Sequence, residues 1–239
     1  MKLFYFTPLN FLERYVILYN VACVYVIAFA MGSFYERGKM KMMQKERYEW
    51  INSWCDEADK MDKRRVLLVG DSIAQGYQAI VRELLKDVCY VDCLTTSYAA
   101  DNKLYSVLVE DFAKNSDYAI VHFNHGLHGV HMCPRTYKSK IKNLLLRLSE
   151  RSKIILADTT VVYREGNKRQ DPVWRKRVNE RNEIVAELVT ELGCSWDSLY
   201  EVSQKIRLED RASDGVHYEP SGYELLADSV AKSILKLLK

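Results

Sequence analysis

Val66-Leu67-Leu68-Val69-Gly70-Asp71-Ser72-Ile73 is the stretch on which the reading of the whole chain turns. Four consecutive branched apolar residues ending at a glycine suit a strand buried on both faces, as in parallel sheets. A helical pattern follows at once, with Ile73, Ile80, Val81, Leu84 and Leu85 on its apolar side. Strand, glycine and helix in immediate succession are the first half of a β-α-β unit.

Working outward, the pattern repeats. Strand-like runs lie at Val88 to Leu94, Tyr118 to Phe123 and Lys153 to Ala157, with a weaker one near Cys194 to Trp196. Helical patterns lie between them, near Lys103 to Lys114, Tyr137 to Glu150 and Trp174 to Leu192. A last helix opens at Pro220, a residue suited to a first helical turn, and carries Leu225, Leu226, Val230, Ile234 and Leu237 on one face. The alternation predicts a three-layer α/β/α sandwich around a mostly parallel sheet of about five strands. In such sheets ligands bind at the carboxyl ends of the strands. Chemistry is therefore to be sought just after Val69, Leu94, Phe123 and Ala157.

Ahead of this domain, Tyr15 to Phe34 contains no charged residue. A run of this length matches the hydrocarbon core of a bilayer, about 30 Å. It reads as a single membrane-spanning anchor within residues 1–35. A cleaved signal peptide and a buried core helix are the competing readings. Arg37, Lys39 and Lys41 follow the run, a small basic bias that leaves the side of the following domain open. Residues 36–64 mix both charge signs with Trp50 and Trp54, and read as a charged helical stalk or linker before a domain spanning 65–239.

The net charge of the 239-residue chain is +3, with basic residues scattered along it. That gives no electrostatic footprint for nucleic acid. Six cysteines, Cys23, Cys55, Cys89, Cys93, Cys133 and Cys194, match no disulfide framework and no metal pair.

Three clusters could carry chemistry. Gly70-Asp71-Ser72 would put a serine hydroxyl at the sheet edge and its backbone N–H at a helix start, where an amide can stabilise an oxyanion. Taken alone, these three residues are weak evidence, and Asp71 and Ser72 read first as a helix cap. Asp214-Gly215-Val216-His217 lies before the last helix. It offers the base that a serine needs and the carboxylate that orients such a base. Asn124-His125-Gly126-Leu127-His128 follows the third strand, and Asn124 is a candidate oxyanion donor. His122, His125, His128 and His131 recur every third residue, but along a strand end and a loop that spacing does not make a metal face, and no metal site is assigned. Arg164, Lys168, Arg169 and Arg175 form a basic stretch over the same edge.

From about Arg65 onward these clusters resemble the SGNH hydrolases, a superfamily of GDSL-like esterases and lipases. The first block of that family is matched by Gly70-Asp71-Ser72, the last by Asp214-Gly215-Val216-His217. The Asn124-His125-Gly126-Leu127-His128 block resembles the subgroup with Asn-x-Gly-Leu-His, linked to carbohydrate O-deacylation. Asp158-Thr159-Thr160, Asn179, Asn182 and Asp197-Ser198-Leu199-Tyr200 also resemble it. The resemblance implies a flavodoxin-like fold and a cofactor-free serine esterase acting through an acyl-enzyme. Ser72 would be the nucleophile, His217 the base and Asp214 its orienter, with Asp71 and His128 near the substrate. The oxyanion hole would be Ser72, Ala99 and Asn124. The family's second block supplies a glycine N–H, whereas here Thr95 to Asn102 contains none, so Ala99 or Ala100 takes that place. The substrate implied is a small-molecule or glycan ester, most simply an acetyl ester. An O-acyltransferase using the same triad and a catalytically decayed, membrane-tethered binding protein are the alternatives.

Overall fold

Residues Arg64–Gly70 form a fully paired strand at the centre of the computed structural model, which describes residues 46–164 and 169–239. Its side chains alternate between two cores. Val66 and Leu68 face one and Leu67 and Val69 the other, and all four are buried. That is what a strand covered on both faces requires, and it explains why the run shows no polar alternation.

In chain order the elements are β1 (Ile51–Trp54), β2 (Arg64–Gly70), α1 (Ser72–Leu85), β3 (Cys89–Thr96), α2 (Lys103–Ala113) and β4 (Tyr118–Asn124). There follow α3 (Pro134–Ser149), β5 (Lys153–Ala157), α4 (Pro172–Leu192), β6 (Ser195–Asp197), α5 (Leu199–Lys205) and α6 (Pro220–Leu238). The sheet runs β1-β3-β2-β4-β5-β6, with β2 to β6 parallel and β1 antiparallel to β3. The five parallel strands have the doubly wound order in which direction of travel reverses beside β2. Helices α1 and α6 cover one face, with Ile73, Tyr77, Val81, Leu226, Val230 and Ile234 in its core. Helices α2, α3 and α4 cover the other, through residues such as Tyr105, Val109, Tyr137, Leu144 and Leu188.

The sheet thus has six strands, one more than predicted, and the difference corrects the reading of residues 36–64. Within the described part of that stretch there is no helix. Ile51 pairs with Thr96 and Trp54 with Cys93, closing the open edge of β3. The physical reason is that an unpaired strand edge carries unsatisfied N–H and C=O groups, and a short polar strand satisfies them. All four β1 residues are exposed, so no apolar alternation marks them. Trp54 lies against Arg82 of α1, its ring centroid 4.8 Å from the guanidinium carbon. The predicted anchor at 1–35, and 36–45 of the stalk, lie outside the described residues. Among the described residues no helix is long and apolar enough to cross a membrane.

Candidate active site

The site is assembled where β2 and β4 end, at the point where the strand order reverses. Gly70 closes β2 because nothing larger fits. A Cβ there would stand 2.4 Å from Ala74 Cβ and 2.8 Å from the Asn124 carbonyl oxygen. Asp71 then turns the chain into α1. Its carboxylate accepts from Ile73 N–H at 3.0 Å, and it is 1 % exposed. Asp71, also a candidate substrate contact, is thus the cap of α1. Its carboxylate is buried and spent on capping a helix whose first N–H groups lack partners. Ser72 is the first helical residue, so its own N–H has no partner within the helix.

The last loop brings the base. Gly215 has φ +77°, and a Cβ there would sit 2.3 Å from the Tyr163 carbonyl oxygen, so the turn requires glycine. Asp214 Oδ1 accepts from the N–H groups of Val216 and His217, at 2.8 and 2.9 Å. Its Oδ2 lies 2.6 Å from His217 Nδ1. His217 Nε2 in turn lies 2.8 Å from Ser72 Oγ. The network assigns the proton to Nδ1, which leaves the Nε2 lone pair facing the hydroxyl. Burial by itself would raise the carboxyl of Asp214. The bonds from the His217 ring and from the two backbone N–H groups outweigh it and hold the group below its ordinary range. Asp214 therefore stays ionised beside the imidazole, the condition for stabilising an imidazolium. The His217 side chain is 38 % exposed, so the site opens to solvent.

Asn124 ends β4 and is buried. Its Nδ2 donates to the Asp158 carbonyl at 2.9 Å. An amide nitrogen carries two hydrogens, so this bond orients the group and leaves a second donor. The strand end that receives it is itself braced. Asn182 accepts from Thr159 N–H at 2.7 Å and donates back to the Thr159 carbonyl at 3.0 Å. Asp158 accepts from Tyr200 N–H at 2.5 Å, and burial pushes its carboxyl up to about 6 despite that bond.

Ala99 and Ala100 are buried in the turn after β3. Glu57 alone among the described non-glycine residues has a positive φ, so the turn after β3 accommodates alanine without backbone strain. This turn is stitched to the loop after β4. His125 Nε2 lies 3.0 Å from the Tyr98 carbonyl, His131 Nε2 lies 2.7 Å from Asp101, and Gly129 (φ +72°) packs against Ala99. His125 is enclosed by Tyr105, Phe123 and Tyr137, and burial pushes its pKa down to about 4.

The four regularly spaced histidines diverge. His122 bonds Asp197, His125 the Tyr98 carbonyl, His128 Glu46 and His131 Asp101. His128 was read as a substrate contact. In the structure its Nδ1 is engaged by Glu46 Oε1 at 2.5 Å. Sequence reasoning missed Glu46 and also Arg181. The Arg181 guanidinium donates to the carbonyls of Gly129 and Met132, at 2.9 and 3.3 Å, and stacks 3.7 Å from the Tyr137 ring centroid. Tyr137 donates to the His125 carbonyl. A signal existed, because Arg181 falls on the buried stripe of α4 with Val178, Ile184, Val185 and Leu188. A cation at such a position has a partner to hold.

No family model and no curated protein matches the chain. Solved structures do. Axe2, an acetylxylan esterase from Geobacillus stearothermophilus, superposes with a TM-score of 0.59 at 20 % identity, over 72 % of this chain and 94 % of its own. A protein from Slackia heliotrinireducens, described as a candidate SGNH hydrolase, gives 0.59 at 18 % identity, over 72 % of this chain and 100 % of its own. The fold is that of the SGNH hydrolases. A candidate acylhydrolase from Bacteroides fragilis matches at 0.59 and 17 % identity, over 77 % of this chain and 94 % of its own. At such identities the likeness establishes the SGNH fold, and the chemistry has to come from the residues at the sheet edge.

Proposed function

We propose that the chain is a serine ester hydrolase that removes a small acyl group, most simply acetyl, from a carbohydrate. The observation that carries this is the unbroken run Asp214–His217–Ser72, at 2.6 and 2.8 Å, on the edge where an SGNH fold takes its ligands. His217 Nε2 takes the Ser72 proton as Oγ attacks the ester carbonyl. The oxyanion is held by the Ser72 N–H, the Ala99 N–H and the second N–H of Asn124. His217 returns its proton to the leaving alcohol. Water, deprotonated by the same imidazole, then frees the acyl group. No step needs a cofactor. The substrate class is supported by the matched acetylxylan esterases. Among the matched structures, two described as catalytic mutants of Axe2 replace a serine or a histidine by alanine.

The apolar run Tyr15 to Phe34 is proposed to anchor this domain in a membrane. The test of the chemistry is labelling of the full chain by a fluorophosphonate, together with acetate release from acetylated xylo-oligosaccharides. Labelling that disappears with Ser72→Ala is the expected result. An unlabelled wild type beside a labelled control esterase would end the proposal.

A further inference from the structure

Where the N-terminal segment joins the domain is set by a few polar contacts. Glu46 pairs with His128, in the loop after β4. Trp50 N–H donates to Ser97 Oγ at 2.9 Å, and Thr96 Oγ1 donates to the Trp50 carbonyl at 2.7 Å, both at the end of β3. The chain therefore enters the domain at the carboxyl edge of the sheet, the edge that holds Ser72. Residues 35–45 alone separate Glu46 from the apolar run Tyr15 to Phe34, and even fully extended they reach about 40 Å. Arg37, Lys39, Lys41 and Lys45 lie in that short segment against a single acid, Glu36.

The rim around this entry point is apolar and basic. Tyr48, Leu104 and Val173 are 72, 58 and 60 % exposed. Leu104 and Val173 stand in the first turns of α2 and α4, which begin at the carboxyl edge. Arg47, Lys103 and Arg169 are exposed beside them. Among the described residues neither Lys103 nor Arg169 has an ion-pair partner, and Arg47 lies over the Tyr48 ring. Three acids at the same rim are engaged, while Glu201 at the start of α5 and Glu219 at the start of α6 are exposed. Asp101 bonds His131, Asp171 caps α4, and Asp214 holds His217. At the opposite edge four exposed cations are neutralised by acids, while among the described residues Arg64 and Lys153 bond only the carbonyls of Leu238 and Leu237. Lys60, Lys86, Lys114 and Arg151 pair with Glu57, Glu83, Asp111 and Asp117.

Exposed apolar side chains interleaved with unpaired cations are the surface that seats on an anionic leaflet. We infer that the carboxyl edge of the sheet docks on an anionic lipid surface through Arg47, Tyr48, Lys103, Leu104, Arg169 and Val173, so that the ester it meets is an O-acyl group on a lipid-linked saccharide. The inference rests on the esterase and anchor reading above and names its substrate class. Tethering confines both partners to one surface and raises their effective concentration.

The test uses the full chain in proteoliposomes of phosphatidylglycerol and phosphatidylcholine. Two variants, Leu104→benzoylphenylalanine and Glu150→benzoylphenylalanine, place a photocrosslinker on the carboxyl edge and on the opposite edge. The expected result is crosslinking to phospholipid at position 104 several-fold above position 150. Equal crosslinking, or an excess at 150, overturns the docking surface. A second arm compares p-nitrophenyl acetate in solution with dodecyl tetra-O-acetylglucoside held in the vesicles. Lys103→Glu with Arg169→Glu is expected to leave the soluble ester unaffected and to slow the vesicle-borne one at least about tenfold. An equal effect on both overturns the inference. Strong crosslinking at 104 without turnover of either ester would instead sink the esterase reading and leave the docking surface standing.

Discussion

Ser72, His217 and Asp214 meet at the rim of the sheet, while Ser229, His122 and Asp197 meet beneath it. The residue types are the same, and the wiring differs. At the rim the imidazole stands in the middle, with Nδ1 on the carboxylate and Nε2 on the hydroxyl. In the interior the carboxylate stands in the middle, accepting from Ser229 Oγ at 2.8 Å and bonded to His122 Nε2 at 2.9 Å. No imidazole touches Ser229 there, and the other His122 nitrogen is buried without a hydrogen-bond partner. A nucleophile needs its base at the hydroxyl and an open face for substrate. The buried set has neither, since His122 is fully buried and Asp197 is 2 % exposed. Composition does not make a triad. Order of connection and exposure do.

The comparison can be broken by mutation, and the largest effect belongs to the rim. Ser72→Ala should lower kcat by about 10⁵-fold or more while circular dichroism stays unchanged. Retained turnover would remove Ser72 from the mechanism. Asp214→Asn should cost about 10⁴-fold in kcat, because the amide no longer fixes the productive tautomer. The interior answers in stability instead. Asp197→Ala strands the buried His122 and the half-buried Ser229 and should cost about 3–5 kcal/mol in urea unfolding, with kcat per folded molecule kept. A large loss of kcat there would mean that the interior set serves catalysis.

The next effect is a pH dependence built from two opposed groups. Burial holds His125 near 4, below its unfolded value, so its contribution to stability is present above about 6.5 and is lost as pH falls toward 4. Burial holds Asp158 near 6, above its unfolded value, so its contribution runs the other way, present at low pH and lost as pH rises from about 4 to 6. The two largely offset each other. Asp158→Asn should uncover an acid loss of about 3 kcal/mol between pH 6.5 and 4, read from urea midpoints. A variant no more acid-sensitive than the wild type would refute that balance. The smallest effect is Ser229→Ala, which removes one hydrogen bond to Asp197 and should cost about 1–2 kcal/mol without touching kcat.

Much of the site was legible because its parts sit at the ends of strongly patterned elements. Val66 to Val69 and Tyr118 to Phe123 announce buried strands, and Ser72 and Asn124 follow them directly. For Asp71 the sequence offers a helix cap and a pocket acid alike, and the structure shows the cap. His128 and Glu46 are 82 residues apart, and no local period connects them. The strand β1 was hidden for a related reason, since its four exposed residues gain their stability from the edge of β3 and not from their own pattern.

What the sequence determined by itself is the alternation of buried strands and amphipathic helices, and the residue types at the strand ends. These follow from local periodicity and from the side-chain chemistry each position carries. What only the tertiary structure decided is which serine meets which imidazole. It also decided that Asp71 is buried and that the N-terminal segment enters beside the active edge. Such outcomes depend on through-space distances between residues far apart in the chain, Ser72 and His217 being 145 positions apart. The packing of both helical layers on one twisted sheet sets those distances, and no local window of the sequence contains them.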